Sequence, residues 1–264
     1  MLFRSNRYIL AGQIYHVTHR CHDRKWLLKF AIHRTEYRRR LRLALKEYDL
    51  SLLAYALTSN HTHLLIHSRT TEALSGLMQQ LEGEFAESYN RRKQRSGAFW
   101  NGRYPATMID SDDHLWNCMT YIDLNMVRAG VVSHPRDWAW CGYDELVGLR
   151  QRYRLLNIDK VLELVGAGDA GDFARHYQAA IAKDLQRGRL AREPVWTESI
   201  AVGSQAFVAR VAGAIHTRAK LEQFENPDGH WVLWEPPASY EVKATGSGID
   251  ENALAPKIDS ENRA

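Results

Sequence analysis

The chain has 264 residues, 45% of them apolar, and a formal charge of +4, enough apolar content to bury a core in one large domain or two smaller ones. No apolar run approaches the roughly 18 residues of a membrane-spanning helix, and the start lacks the apolar stretch and small-residue cleavage site of a secretory leader, so a cytoplasmic protein without membrane partners is expected. Three cysteines, Cys21, Cys118 and Cys141, are too few and too scattered for a disulfide framework or a cysteine zinc site, and they read as reduced.

In chain order, GQIYHVTHRC alternates Ile14, His16 and Thr18 against Tyr15, Val17 and His19, a β-rich run after Gly12. From about Ile32 to Tyr48, Tyr37, Leu41, Ala44 and Leu45 recur at helical spacing with no proline or glycine. Two apolar runs, 50–57 and 62–67, are joined by TSNH and read as a hairpin. The stretch TTEALSGLMQQLEGEFAESYNRR opens on a Thr/Glu start signal and places Leu74, Leu77, Leu81, Phe85 and Tyr89 on one helical face. GRYPATMI reads as an edge strand, because Pro105 cannot donate to a ladder. DSDDHLWNCMTYIDLNMVRAG then starts acidic and closes on Gly130 as a C-cap, a third helix.

The order β-α-β-β-α-β followed by a helix predicts an α+β fold, a ferredoxin-like split βαβ antiparallel sheet with helices on one face. Residues 1–150 form the main domain in this reading, and 151–235 a helical C-terminal extension. The tail 236–264, after Pro236 and Pro237, is low in apolar content and expected to be disordered.

Charge is uneven: residues 1–150 carry 21 Lys/Arg against 15 Asp/Glu, and 151–264 carry 14 against 16. The cations cluster at Arg38, Arg39, Arg40 and Arg42, and again at Arg91, Arg92, Lys93 and Arg95 beside Tyr89, Phe99, Trp100 and Tyr104. Basic groups interleaved with aromatics suit a nucleic-acid backbone and its bases, although each cluster also fits a solvated helix face.

Strand alternation places His61 and His63 on one face, about 7 Å apart at Cα, with Thr62 on the other. Two imidazoles so placed can converge on one metal ion that keeps positions open for substrate; equally, a His-x-His pair can be ordinary turn chemistry. In YIDLN, Tyr121 and Asn125 lie one helical turn apart. A hydroxyl nucleophile beside an amide ligand is one reading of that spacing, a packing aromatic beside a surface amide the other.

The runs GQIYHVTHRCHDR, SNHTHLLIH, SGAFWNGRY, YIDLNMVRAGVV and HPRDWAWCGYDEL, in that order, resemble the REP-associated tyrosine transposases, single-strand transposases with a His-hydrophobic-His motif. The resemblance spans about residues 8–150 and continues more weakly to about 235 through SQAFVARV and WVLWEP. It implies that His61 and His63 bind Mg²⁺ or Mn²⁺, that Asn125 completes the metal site, and that Tyr121 is the nucleophile. The implied activity is cleavage and rejoining of single-stranded DNA hairpins through a 5′-phosphotyrosine, with no nucleotide cofactor. A bacterial, nucleoid-associated monomer or weak dimer is expected, with Arg38, Arg39, Arg42, Arg91, Arg92, Lys93, Arg95 and Arg103 on the DNA. His19 and His114 are candidate bases for the tyrosine. Two departures stand out: Thr62 replaces a hydrophobic residue between the histidines, and Met126 stands where the family commonly has proline, which lets the third helix run on. The competing readings are a catalytically silent hairpin-binding regulator and a metal-dependent nuclease that uses water, for which Tyr121 would be dispensable.

Overall fold

The computed structural model describes residues 7–188 and 191–236; the expectation for the tail, apart from Pro236, lies outside the described residues. Strands β1 (Gln13–Arg20), β2 (Leu50–Leu57), β3 (His61–Ser68) and β4 (Ala106–Ile109) alternate with helices α1 (Ala31–Ala44) and α2 (Thr71–Arg92) in the expected order. They pair antiparallel in the spatial order β2-β3-β1-β4, the split βαβ arrangement.

Local chemistry accounts for the elements. The Thr70 hydroxyl accepts the Ala73 N–H at 3.2 Å and caps α2, whose Leu74, Leu77, Leu81, Phe85 and Tyr89 are buried on one face as their spacing predicts. Helices α1 and α2 pack together on one side of the sheet, where the Tyr37 hydroxyl donates to Glu82 at 2.7 Å. A third helix, α3 (Asp112–Asp123), follows β4 and covers the opposite side. It does not run through the Met126 position: the chain leaves the helix at Leu124 (φ −75°, ψ 0°) and makes one more turn, α4 (Asn125–Arg128). Gly130, at φ +66°, ends that turn as expected, in the left-handed conformation that glycine adopts without strain.

The expected edge strand is corrected as well. β4 is not an edge strand, because β5 (Ala201–Gly203) pairs with it in parallel on the side away from β1. Pro105 is compatible with this interior place because it precedes the strand and offers only its carbonyl, which accepts the Thr18 N–H at 3.2 Å. After the short α5 (Tyr143–Leu146), the segment beyond residue 150 is helical over α6 (Ile158–Leu164), α7 (Ala170–Gln186), α8 (Val195–Glu198) and α9 (Gln205–Ala214). It also adds strands: β5 pairs with β7 (Trp231–Trp234), which pairs with β6 (Glu222–Glu225), giving a seven-stranded mixed sheet in the order β2-β3-β1-β4-β5-β7-β6. The three cysteines are free and buried. Among the described residues no helix is long and apolar enough to cross a membrane.

Candidate active site

The antiparallel register sets the floor of the site. Arg20 opposes His61 and Thr18 opposes His63 across β1 and β3, so these four side chains and His16, two further along β1, share the face covered by α3. Thr62 pairs with His19 on the reverse face, where it is buried and leaves the histidine pair undisturbed.

The hydrogen bonds assign protons to the imidazoles. Thr58 Oγ1 donates to the His61 carbonyl at 2.9 Å, and His61 Nδ1 lies 2.8 Å from Asn60 Oδ1. His61 therefore carries its proton on Nδ1 and keeps its lone pair on Nε2. His63 Nδ1 is 2.9 Å from His16 Nε2, and the Asn125 amide nitrogen donates to His63 Nε2 at 3.0 Å. The His61 and His63 rings meet edge to face with centroids 4.7 Å apart.

Burial and surrounding cations keep these rings neutral. His61 is pushed down to about 3 by burial first and then by Arg20, His16, Arg128 and Arg192. His63 is held well below the usual imidazole range by burial and by His61, and His16 is lowered to about 4, mainly by burial. Neutral imidazole is the form that binds metal.

Tyr121 closes the site from α3. Its ring centroid lies 6.4 Å from that of His63 and 6.1 Å from that of His16, edge to face in both cases. Burial raises the pKa of its hydroxyl, and Arg128 and Arg192 act against that rise. Beside Tyr121, between α3 and α7, a cleft of about 230 Å³ is lined by Arg128, Lys183, Arg187 and Glu193 among others.

The donor set fits a divalent ion in kind: two neutral imidazoles and an amide that can turn its oxygen inward. Among the described residues no group of three or more His, Cys, Asp or Glu is placed to hold a metal ion. The expected third ligand, Asn125, is the amide that lies against His63 Nε2.

The structure brings His61, His63, Tyr121 and Asn125 together and leaves the expected DNA-contacting cations outside that cluster. Arg38 is tied to the buried Glu145 at 3.0 Å, Arg39 to Glu36 at 2.8 Å, and Arg42 lies over the Tyr153 ring at 5.0 Å. Arg91 pairs with Glu87 one turn back, and Arg95 donates to the Asn90 side chain and the Ala98 carbonyl at 2.8 and 2.7 Å. Lys93 and Arg103 are exposed. Arg92 reaches His33 Nδ1 at 3.2 Å, which puts the end of α2 beside the first turn of α1, the turn that follows the 21–30 loop. That loop, in turn, is pinned to the turn preceding His61 by Leu28 N–H to Ser59 O at 2.9 Å and by the Asn60 amide to Arg24 O at 3.2 Å.

Neither candidate base reaches Tyr121. His19 lies on the reverse face, stacked on Trp100 at 4.5 Å and 3.4 Å from Glu82, and His114 meets His230 at 3.1 Å. Sequence reasoning passed over His16, Arg20, Arg128 and Arg192. Strand alternation put His16 on a face with Ile14 and Thr18, but no local signal said that this face would meet His63.

The residues that form this site lie in the part of the chain that is similar to known proteins. Residues 10–125, which include all four clustered residues, match the family described as transposase, IS200 like. Over 118 residues the chain is 25% identical to a protein of Haemophilus influenzae assigned as a REP-associated tyrosine transposase, covering 41% of this chain and 67% of that one. Two solved structures align with it. A REP-associated tyrosine transposase bound to a REP hairpin does so at 19% identity and a TM-score of 0.49, over 66% of this chain and 96% of that one. A protein of Deinococcus radiodurans assigned as a transposase does so at 16% and 0.31, over 50% and 97%. Through residues 10–125 the chain is similar to the IS200-like transposases.

Proposed function

We propose that this chain cleaves and rejoins single-stranded hairpin DNA with Tyr121 as nucleophile and Mg²⁺ or Mn²⁺ held by His61, His63 and Asn125. The observation that carries the reading is the convergence of Tyr121 on the His63 ring, 6.4 Å between centroids, with the Asn125 amide 3.0 Å from His63 Nε2. The REP association of the Haemophilus relative is the ground for taking a palindromic hairpin as substrate.

A bound divalent ion would supply Lewis acidity that offsets charge building on the transferring phosphate. Tyr121 Oη forms a bond to phosphorus as the phosphorus–O3′ bond breaks, and the departing 3′ oxygen takes up a proton to become a hydroxyl. The product is a 5′-phosphotyrosine; a 3′-hydroxyl on another strand reverses the step, so the bond energy is retained and no nucleotide cofactor is needed. Because burial raises the Tyr121 pKa, the hydroxyl loses its proton only where positive charge favours the phenolate. Arg128 and Arg192 supply that charge.

The 21–30 loop suits the unpaired part of the substrate. Trp26 and Phe30 are 65% and 60% exposed, flanked by Arg24 and Lys29 and anchored by the buried Leu28, whose N–H donates to the Ser59 carbonyl. Exposed aromatic faces among cations stack bases and bind phosphates without a sequence requirement.

Incubation of the full chain with a labelled hairpin bearing a single-stranded flank, with Mn²⁺, should yield a covalent protein–DNA adduct on a denaturing gel. Tyr121→Phe should bind the hairpin and give neither adduct nor cleavage. A Tyr121→Phe protein that cleaves at the wild-type rate assigns the attack to water or another residue and overturns the reading.

A further inference from the structure

We infer that His16 is a positioning residue that fixes the tautomer and orientation of His63, and that the C-terminal segment completes the site through the backbone carbonyl of Trp196. The metal-binding part of this inference rests on the function proposed above; the tautomer does not.

The chain of hydrogen bonds has one self-consistent assignment. His16 Nδ1 lies 2.7 Å from the Trp196 carbonyl oxygen, and a carbonyl only accepts, so Nδ1 carries the His16 proton. A neutral His16 then presents a lone pair at Nε2, 2.9 Å from His63 Nδ1, which must donate. That donation leaves the His63 lone pair on Nε2, the nitrogen 3.0 Å from the Asn125 amide and the one facing the site. With the opposite tautomer of His63, two lone pairs would face each other at 2.9 Å between rings that are 1% and 3% exposed, a spacing too short for anything to separate them.

The geometry locks as well as labels. The His16 and His63 rings lie end to end and close to coplanar, with centroids 5.1 Å apart and planes 24° off parallel, as a direct nitrogen-to-nitrogen hydrogen bond requires. Histidine ligands are commonly held by a carboxylate or carbonyl on the second nitrogen; here another imidazole intervenes, anchored to a carbonyl 180 positions along the chain. Trp196 is itself held fast: its side chain is 1% exposed, its indole N–H donates to Glu193 at 2.6 Å, and its ring lies 6.4 Å from that of Tyr121. The segment that adds β5 to the sheet thus also orients a residue of the histidine pair, although it contributes none of the four clustered side chains.

The test uses the full chain with ¹⁵N-labelled histidine in chelator, and Mn²⁺ binding followed by electron paramagnetic resonance. His63 in the wild type should show the Nδ1–H tautomer; the Nε2–H tautomer would overturn the proposal. In His16→Phe, which fills the space but cannot accept a proton, His63 should become a mixture of tautomers and Mn²⁺ affinity should fall about ten- to hundredfold. His16→Gln, whose amide oxygen can accept from His63 Nδ1, should recover most of both. Unchanged His63 signals and Mn²⁺ affinity in His16→Phe would reduce His16 to packing and sink the idea. If the wild type binds no Mn²⁺ while His16→Phe still scrambles the His63 tautomer, the metal reading fails and the positioning role stands. Should His16→Phe not fold, the wild-type tautomer and the His16→Gln protein still decide.

Discussion

The central carbon of the Arg128 guanidinium lies 4.0 Å from the centroid of the Tyr121 ring, and the same guanidinium donates to the Tyr121 backbone carbonyl. One cation therefore braces the main chain where α3 gives way to α4 and covers the ring of the proposed nucleophile. Stacked over the ring, it interacts more strongly with a phenolate than with a phenol.

Arg128→Ala should accordingly slow single-turnover adduct formation by about 10²- to 10³-fold, the range for removing one preorganised charge-stabilising donor. The ascending limb of the pH–rate profile should also move to higher pH, because Arg128 opposes the rise in the Tyr121 pKa caused by burial. An unchanged profile would show that the arginine only packs.

His61 is partly exposed and its side chain hydrogen-bonds to Thr58 and Asn60 of its own turn, so His61→Ala should fold normally and lose Mn²⁺-dependent cleavage. His63→Ala strips Asn125 and His16 of their shared partner and should in addition cost about 1–3 kcal/mol in denaturant unfolding. Full activity in His61→Ala would remove the histidine pair from the mechanism.

The exposed aromatics make a claim about substrate. Replacing Trp26 and Phe30 together by alanine should weaken binding of a hairpin with a single-stranded flank at least tenfold, since each stacked base is worth about 1–3 kcal/mol, and leave a blunt hairpin unaffected. Neutralising Arg91, Arg92 and Lys93 at the end of α2 should flatten the log–log salt dependence by roughly 0.7 per lost contact. Arg38→Gln, which removes one of the two arginines paired with the buried Glu145, should instead show up in stability. Equal losses on blunt and flanked hairpins would place the unpaired strand elsewhere.

Asp123 joins α3 to α7 through the Tyr177 hydroxyl at 2.8 Å, and burial pushes its carboxyl up to about 8. Its unfolded value is about 3.9, so between roughly pH 4 and 8 the folded state holds a proton that the unfolded state has released. Stability should therefore fall as pH rises through that window, by at most about 1.4 kcal/mol per pH unit. Urea unfolding in chelator at pH 5 and 7.5 should show the slope in the wild type and lose it in Asp123→Asn. Parallel slopes in the two proteins would mean that Asp123 is ionised in the fold.

Much of this was legible in the residues alone, because it depends on local period. A period of two puts His61 and His63 on one face whatever the strand meets, and the apolar stripe of α2 and the order of the first six elements follow from the same reasoning. The pairing of Tyr121 with Asn125 was legible too, although the helix breaks between them at Leu124. What only the tertiary structure decided is which faces meet. β4 became interior because of β5, a strand of three residues, Ala201–Gly203, too short to carry a pattern. Two of the expected DNA-binding arginines, Arg38 and Arg42, proved to be engaged with Glu145 and Tyr153, more than 100 positions away in the chain, while Arg20, Arg128 and Arg192, each unremarkable in its own neighbourhood, act together on His61. Most decisive is His16, a strand residue like its neighbours until a carbonyl from beyond residue 190 assigns its proton. Side-chain periodicity records the direction in which a residue points, and long-range packing alone supplies what it finds there.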